Sequence, residues 1–578
     1  MQHDKNTKNI EQIEKVSQNG QEISHNIYDV MDKFGVKYVL KPLDVLKRSG
    51  ALISNIAMSL IILPFIARGS VCALFTGGLN KDDVGQKDSF YDLKNNHRIN
   101  WRSLLYGIAK RFQILTSLNV DKDTNQIRAL IIDDTTASKT GKHIERIGYV
   151  HDHVSGTFVL GYKILVSGYW DGVSFIPLDF SIHREKRDGE LSKTQNQVEN
   201  KKKKLNQIQE YKKQSVKRID EIRKEIWRHK RVNKTKFTKT REKQLAAKVL
   251  SLERNKNRLS ITEKEIEEQK QKLQYLENTY YELKQQAGKC GLKAEDYSNQ
   301  FKKQRQRNTA GYKRLKETDT NKIDSTVSMI KRALRRGFKF EYVLTDSWFF
   351  CRKLLHFVDS TGKGINLVSM ARIGKAKYKI LPAGKDLFPK QIITLYKRKA
   401  HVNRTYKAKY IKFQAEYQGI RVVIFFINIG KGENWRLLVS TDLNIGFNKL
   451  MEVYKIRWTI EVFFKEDKQY LLLGKSQSQD FDAQIADTTL SLIRYILLSY
   501  YERTHYGISI GGLFRELSQA SIEENLVADL SQVFMDLLRA FAELAGIDFI
   551  TFYEALIHQP QLQDSLYRIK ILPHTQAA

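Results

Sequence analysis

Residues 190–290 cannot belong to a globular core. The segment is almost all Lys, Glu, Gln, Asn and Arg, yet Leu245, Leu252, Leu259, Ile266, Leu273 and Tyr280 recur every seven residues. Leu205, Ile219 and Ile226 keep the same period upstream. An apolar position every seven residues is the seam of packed helices. The companion row stays polar until Leu276 and Leu283, so the seam is weak. VNKTKFTKT (232–240) breaks the repeat. This predicts an antiparallel helical hairpin; continuous helices forming an intermolecular coil are the alternative. Either form makes the segment an insertion, with two parts of one core on its flanks.

Both flanks carry an α/β pattern. RALIIDD (128–134) is a short apolar run ending in acid. TFVLGYKILVSGYW and VSFIPLDFSIH follow with strand-like composition and a WDG turn between them, which predicts three consecutive antiparallel strands. Beyond 320, STVSMIKRALRRG is an amphipathic helix ending in Gly, FEYVLTD (340–346) a second strand ending in acid, and INLVSMAR a further strand. Residues 375–443 alternate through several strands, and about 446–474 reads as one helix. Setting the insertions aside leaves an RNase H-like α/β layout, a mixed sheet with helices on its faces. Acids at two strand ends and on a helix bring distant positions together.

The formal net charge of +34 points to a polyanionic partner. Nucleic acid is the leading reading, with charge serving solubility alone as the bland alternative. Cys72, Cys290 and Cys351 lie far apart, with neither a disulfide framework nor zinc spacing. MQHDKNTKNI has no apolar signal region, so a cytoplasmic location is expected. In ALISNIAMSLIILPFIARGSVCALF (51–75), Asn55, Pro64 and Arg68 interrupt the apolar run, so buried helices are expected rather than a membrane span.

YKIRWTIEVFFKEDK (454–468) is the most informative stretch. Tyr454, Arg457, Glu461 and Lys468 stand at offsets that fall on one helix face. By itself that stripe reads equally well as a solvated row of ion pairs. The pattern Y-(2)-R-(3)-E-(6)-K is similar to the signature of a large family of DDE insertion-sequence transposases, the insertion-sequence-four family. IIDDTTASK (131–139) resembles that family's first-aspartate strand and YVLTDSWFF (342–350) its second. The resemblance covers roughly 125–187 and 300–480 and extends to the strand-rich insertion before the glutamate.

The resemblance implies a catalytic and metal-binding set of Asp133 or Asp134, Asp346 and Glu461. Asp133 fits a D-x-T reading and Asp134 a D-T-T reading; a strand alternates its faces, so only one can point at the metals. Two Mg²⁺ ions, with Mn²⁺ able to substitute, would activate water and stabilise the leaving oxygen at a separation of about 3.5–4 Å. Hard carboxylate oxygens suit Mg²⁺. A DNA 3′-hydroxyl can then replace water as nucleophile and join the cut end to target DNA. Tyr454, Arg457 and Lys468 are expected to contact phosphates near the element end. Trp435 is a candidate for stacking on a flipped base, although Arg436 puts it one residue out of the family's register; a strand-end core residue is its plainer reading.

Other residues read more simply. His151 and His153 lack a third partner at metal-ligand spacing. Trp458 reads as core. FKKQRQRN (301–308) and GYKRLKE (311–317) divide evenly between a solvated face and a DNA contact.

The expected organisation is a helical DNA-binding domain over 1–125, a first part of the core over 126–189 and the basic helical insertion over 190–310. A second core part follows over 311–374, then a β-rich insertion over 375–445, the signature helix over 446–480 and a helical region over 481–578 that is a candidate for dimerisation. The function expected is cut-and-paste transposition by a homodimer on double-stranded DNA, both element ends and target, with no membrane. A nuclease that cuts without joining and a domesticated, non-catalytic DNA-binding protein are the competing readings.

Overall fold

The computed structural model describes residues 27–46, 49–66, 70–76, 85–117, 126–185, 189–231, 239–286, 289–362, 364–430, 432–504, 508–557 and 559. The N-terminal polar stretch and most of VNKTKFTKT lie outside them. The chain divides into two compact units: residues 1–145, 162–183 and 302–578, and residues 146–161 and 184–301.

In the first unit, helices come first: α1 (Ile27–Phe34), α2 (Val36–Leu40), α3 (Ile53–Ile62), α4 (Val71–Thr76), α5 (Lys87–Asn95) and α6 (Trp101–Ser117). Asn55 interrupts no helix, but α3 ends before Pro64, and no described helix is long and apolar enough to cross a membrane. Strand β1 (Ala129–Ser138) follows. Its residues Ala129–Ile132 are wholly buried. A continuous apolar run suits a strand covered on both faces.

Four strands stand where three were expected: β1, β2 (Gly148–Asp152), β3 (Thr157–Trp170) and β4 (Phe175–His183). The extra one, β2, contains His151, and its five residues are too short and polar to announce a strand. Between β3 and β4, Asp171 caps the expected turn by accepting from the backbone N–H groups of Val173 and Ser174. Gly168 sits at a register shift in this pair, where an added Cβ would lie 2.0 Å from the Phe175 ring.

The second unit holds β2 and the first residues of β3, paired from Gly148↔Gly161 to Asp152↔Thr157. It also holds α7 (Gly189–Arg231), α8 (Lys239–Gln286) and α9 (Ala294–Ser298). Ion pairs Lys202–Glu277, Lys212–Glu263 and Lys248–Glu225 run in opposite directions along α7 and α8, so they form an antiparallel hairpin within one chain. Leu205, Ile219, Ile226 and Ile266 of the heptad row are buried, as are the polar companions Thr262 and Gln269.

The first unit resumes with α10 (Ala310–Glu317), α11 (Lys322–Arg335), β5 (Tyr342–Thr345), α12 (Arg352–Ser360) and β6 (Asn366–Ala371). The inserted region adds β7 (Tyr378–Ile380), β8 (Lys385–Leu387), α13 (Pro389–Tyr396), β9 (His401–Asn403), β10 (Ala408–Tyr417), β11 (Ile420–Ile429) and β12 (Trp435–Ser440). Helices α14 (Phe447–Ile456), α15 (Thr459–Tyr470), α16 (Phe481–Thr504), α17 (Ile510–Ala545) and α18 (Phe549–Ile557) complete it.

Within this unit the strands run β3-β1-β5-β6-β12-β11-β10-β7-β8, with β4 beside β3 and β9 beside β10. β1, β5 and β6 are mutually parallel, in the register Ala129↔Tyr342 and Tyr342↔Asn366. The strands from β6 through β12, β11 and β10 alternate direction. The fold is therefore mixed α/β around one large sheet. The largely buried α16 packs against α5, α6 and β4.

Buried charge ties these elements together. Asp179 of β4 receives Arg102 at 2.7 Å and Arg332 at 2.6 Å, and Arg102 also holds Glu317 at 2.8 Å. A second network joins Arg305 to Glu145, Asp480 and Asp482. Arg305, and Lys303 through Asp480 and Asp482, are thus structural rather than part of a solvated face. Where α10 begins, Gly311 donates its N–H to the His97 carbonyl, and a Cβ there would meet the His97 backbone at 2.9 Å.

Candidate active site

Two adjacent parallel strands in the interior of the sheet deliver aspartates to the same end of the sheet. β1 carries Asp133 just past its last β5 partner, Ile132↔Thr345, and β5 ends at Thr345 directly before Asp346. Successive residues on a strand face opposite ways. Accordingly Asp133 and Asp134 part: Asp133 meets Arg457, whereas Asp134 pairs with Lys322 at the start of α11. The Lys322 ammonium also sits 4.0 Å from the centre of the Trp348 ring.

Glu461 arrives from the helical side. The single helix expected here is broken. α14 ends at Ile456, α15 begins at Thr459, and tight i→i+3 hydrogen bonds run from Arg457 to Tyr454 and from Trp458 to Lys455. No Pro or Gly marks the break. The turn leaves Trp458 60% exposed, so it is not the core residue its sequence suggests. It also aims Arg457 between two acids, donating to Asp133 at 3.2 Å and to Glu461 at 2.5 Å. The Arg457 guanidinium lies 5.6 Å from the centre of the Tyr454 ring.

The electrostatics follow from enclosure. Burial, then the nearby charges of Asp346 and Asp134, push the Asp133 carboxyl up to about 7. Burial also raises Asp346, although its carboxylate accepts the N–H groups of Trp348 at 2.9 Å and Phe349 at 3.4 Å. Burial raises the Tyr454 phenol, which lies within the field of Asp346 and Asp133. Burial opposes the charge on Arg457, but Tyr454, Glu461 and Asp133 outweigh it and hold the guanidinium protonated.

The remaining expected residues fall apart from one another. Lys468 turns inward and donates to the Thr136 carbonyl of β1 at 2.8 Å. Trp435 opens β12 opposite Asn428, and no described contact joins it to the acids. His151 and His153 stack edge to face at 4.9 Å.

Sequence reading missed Lys322 and His183. The His183 imidazole is buried, which drives its pKa down to about 4. Its neutral ring donates from Nδ1 to the Thr320 carbonyl at 3.1 Å and accepts from Ser181 at 2.7 Å. Each is a lone residue in its segment, with no spacing to announce it.

The donor set is chemically suited to a hard divalent cation: oxygen ligands only, with buried negative charge in excess. Among the described residues, however, no three His, Cys, Asp or Glu side chains already converge as a metal site. Arg457 stands where Asp133 and Glu461 would otherwise face each other.

Acids thus stand at the ends of two neighbouring parallel strands, and Arg457 links one of them to a third acid on a helix. A family described as "Archaeal putative transposase ISC1217" matches residues 297–486, a span that includes Asp346 and Glu461 but not β1. The match supports a DDE transposase. The chain also aligns with a solved structure described as "Cryo-EM structure of piggyBac transposase synaptic complex with hairpin DNA (SNHP)", at 11% identity and a TM-score of 0.39, over 96% of this chain and 88% of that one. Among curated proteins none matches.

Proposed function

We propose that this chain is an active cut-and-paste transposase of an insertion sequence, with Asp133, Asp346 and Glu461 as its catalytic acids. The observation that carries the reading is the parallel pairing of β1 with β5, which puts Asp133 and Asp346 at the same end of two neighbouring strands, with Glu461 linked to Asp133 through Arg457. The strand order β4-β3-β1-β5-β6 supports an RNase H-like core. Asp134 is the weaker candidate for the first acid, because Lys322 already engages it.

In this reading Asp133, Asp346 and Glu461 would hold two Mg²⁺ ions, which would supply an activated water and a stabilised leaving oxygen. Arg457 is the counter-charge to Asp133 and Glu461, and its guanidinium is suited to a bidentate phosphate contact. Tyr454 backs the guanidinium. Lys468 fixes β1 through the Thr136 carbonyl and so positions Asp133. Trp435 remains a candidate base-stacking residue. The working form is a dimer on double-stranded DNA, acting on element ends and then on target DNA in the cytoplasm.

The test is a cleavage and strand-transfer assay with Mg²⁺ on duplexes carrying the element's own ends, beside Glu461→Gln and an EDTA control. Cut and joined products that disappear in both controls are expected. Cutting without joining on paired ends would favour a nuclease. Binding without cutting by the natural protein would favour a non-catalytic DNA-binding role.

A further inference from the structure

A groove of about 760 Å³ opens in the first unit between the start of α6, the start of α10 and the end of α11. Its floor is set by Arg102, Arg314 and Arg332 around the buried Asp179. Its rim carries Arg98, Lys313, Arg335 and Arg336, all exposed. No described carboxylate engages any of these four. The single acid in the lining, Asp482, is already held by Lys303 and Arg305.

Two further features make the groove a site for anions. The first turns of α6 and α10 both line it, and helix N-termini present positive partial charge. Thr309, which precedes α10, makes no side-chain cap, and the Gly311 N–H of that first turn is taken by the His97 carbonyl, so the cations of the lining carry the site rather than this helix end. Arg314 is only 5% exposed, and its Nε and Nη2 have no hydrogen-bond partner among the described residues. A buried guanidinium left with unused donors is costly unless something accepts from it. Burial accordingly pushes its pKa down to about 9.

The lining distinguishes between kinds of anion. Pockets for small molecules are mostly apolar with a few polar groups. Here cations dominate and are spread over three helices. Lys322, beside the acids, and Arg336 lie at opposite ends of α11. At about 1.5 Å of rise per residue, that separation is roughly 20 Å. Duplex DNA covers it in about six base pairs at 3.4 Å each.

We infer that this groove is a second DNA-binding surface, which grips the phosphate backbone of a duplex about six base pairs from the acidic site. The inference rests on the reading of the protein as a DNA-processing enzyme only for the position of the cut. The grip itself stands on the groove.

The test compares the natural protein, Arg98→Gln/Lys313→Gln/Arg335→Gln and Arg98→Lys/Arg335→Lys for binding a mixed-sequence duplex across a KCl series. Each lost phosphate contact removes about 0.9 from the slope of log affinity against log salt. The triple Gln variant should therefore lose about 2–3 units of slope and roughly ten-fold or more in affinity at moderate salt, while the Lys variant keeps the natural slope. An unchanged slope in the triple variant overturns the inference. So does an equal loss in the Lys variant, because its charge is intact and the effect would be structural. Glu461→Gln in the same series separates the two readings. A reduced slope in the triple variant, with no cleavage by any protein, leaves the groove standing and removes the transposase. Cleavage lost only in Glu461→Gln, with the slope unmoved in the triple variant, does the reverse.

Discussion

At the residue scale, the candidate site is a problem of charge balance. Arg457 is the only described cation that joins Asp133 to Glu461, and it is 12% exposed. Removing one partner of a largely buried ion pair strands the other. Arg457→Ala should destabilise the metal-free protein by about 1–3 kcal/mol, less than a fully buried pair would cost because Glu461 is partly solvated. Mg²⁺ should restore more of the melting temperature in the variant than in the natural protein. An equal Mg²⁺ shift in both would remove the guanidinium from its role as resident counter-charge. Asp467 is a different case. Burial pushes its carboxyl up to about 7, and although Ser491 donates to one oxygen, the other has no partner among the described residues. A carboxyl raised in the folded state costs nothing below the unfolded pKa near 4, and its penalty grows until the pH passes about 7. Asp467→Asn escapes that penalty. Its stability relative to the natural protein should rise between about pH 4 and pH 7 and then level off, gaining about 1–4 kcal/mol by chemical denaturation. A flat difference across that range would mean that the carboxyl titrates normally.

At the scale of elements, the strands that end in acid and the heptad-bearing hairpin were legible because each has a short-range signature: an apolar run closed by Asp, or Leu at a fixed period. The break between α14 and α15 was not. Nothing in YKIRWTIE distinguishes a tight turn from a continuing helix; a tertiary ion pair of Arg457 with Asp133 accompanies the break. β2 was missed because its five residues carry little strand signal of their own and are held by pairing with β3. The cationic groove was illegible for a related reason: its members are scattered between Arg98 and Arg336 and meet only through folding. The hairpin seam makes its own prediction. Thr262 is buried and spends its hydroxyl on the Arg258 carbonyl of its own helix. Thr262→Val exchanges that hydroxyl for a methyl in a seam position. It should stabilise the hairpin by about 1 kcal/mol, read as slower hydrogen exchange of amides in α7 and α8. Faster exchange would mean that the polar seam is required for the pairing.

At the scale of the whole molecule, the question is where the charge resides. Residues 189–286 contain 27 Lys or Arg and 14 Asp or Glu, a net +13 of the chain's +34. Most of the excess therefore lies outside the hairpin. The first unit has its own core, built on β1, β5, β6 and α16, and its own buried ion networks. A flexible loop costs only about 0.6 kcal/mol for each doubling of length, so an insertion of this kind adds little to the stability of the core that it interrupts. Replacing 189–286 by a short Gly/Ser linker should leave the thermal unfolding of the first unit within a few degrees of its original value. DNA affinity should fall, yet the salt slope should keep more than half of its magnitude, because the phosphate contacts assigned to the groove remain. If the slope collapsed toward zero, the hairpin itself would be the main DNA-binding element, and the excess charge of the first unit would serve another purpose. If the slope held but cleavage of element ends vanished, the hairpin would act in arranging the ends rather than in holding DNA. Those two outcomes separate a charged arm from an assembly device.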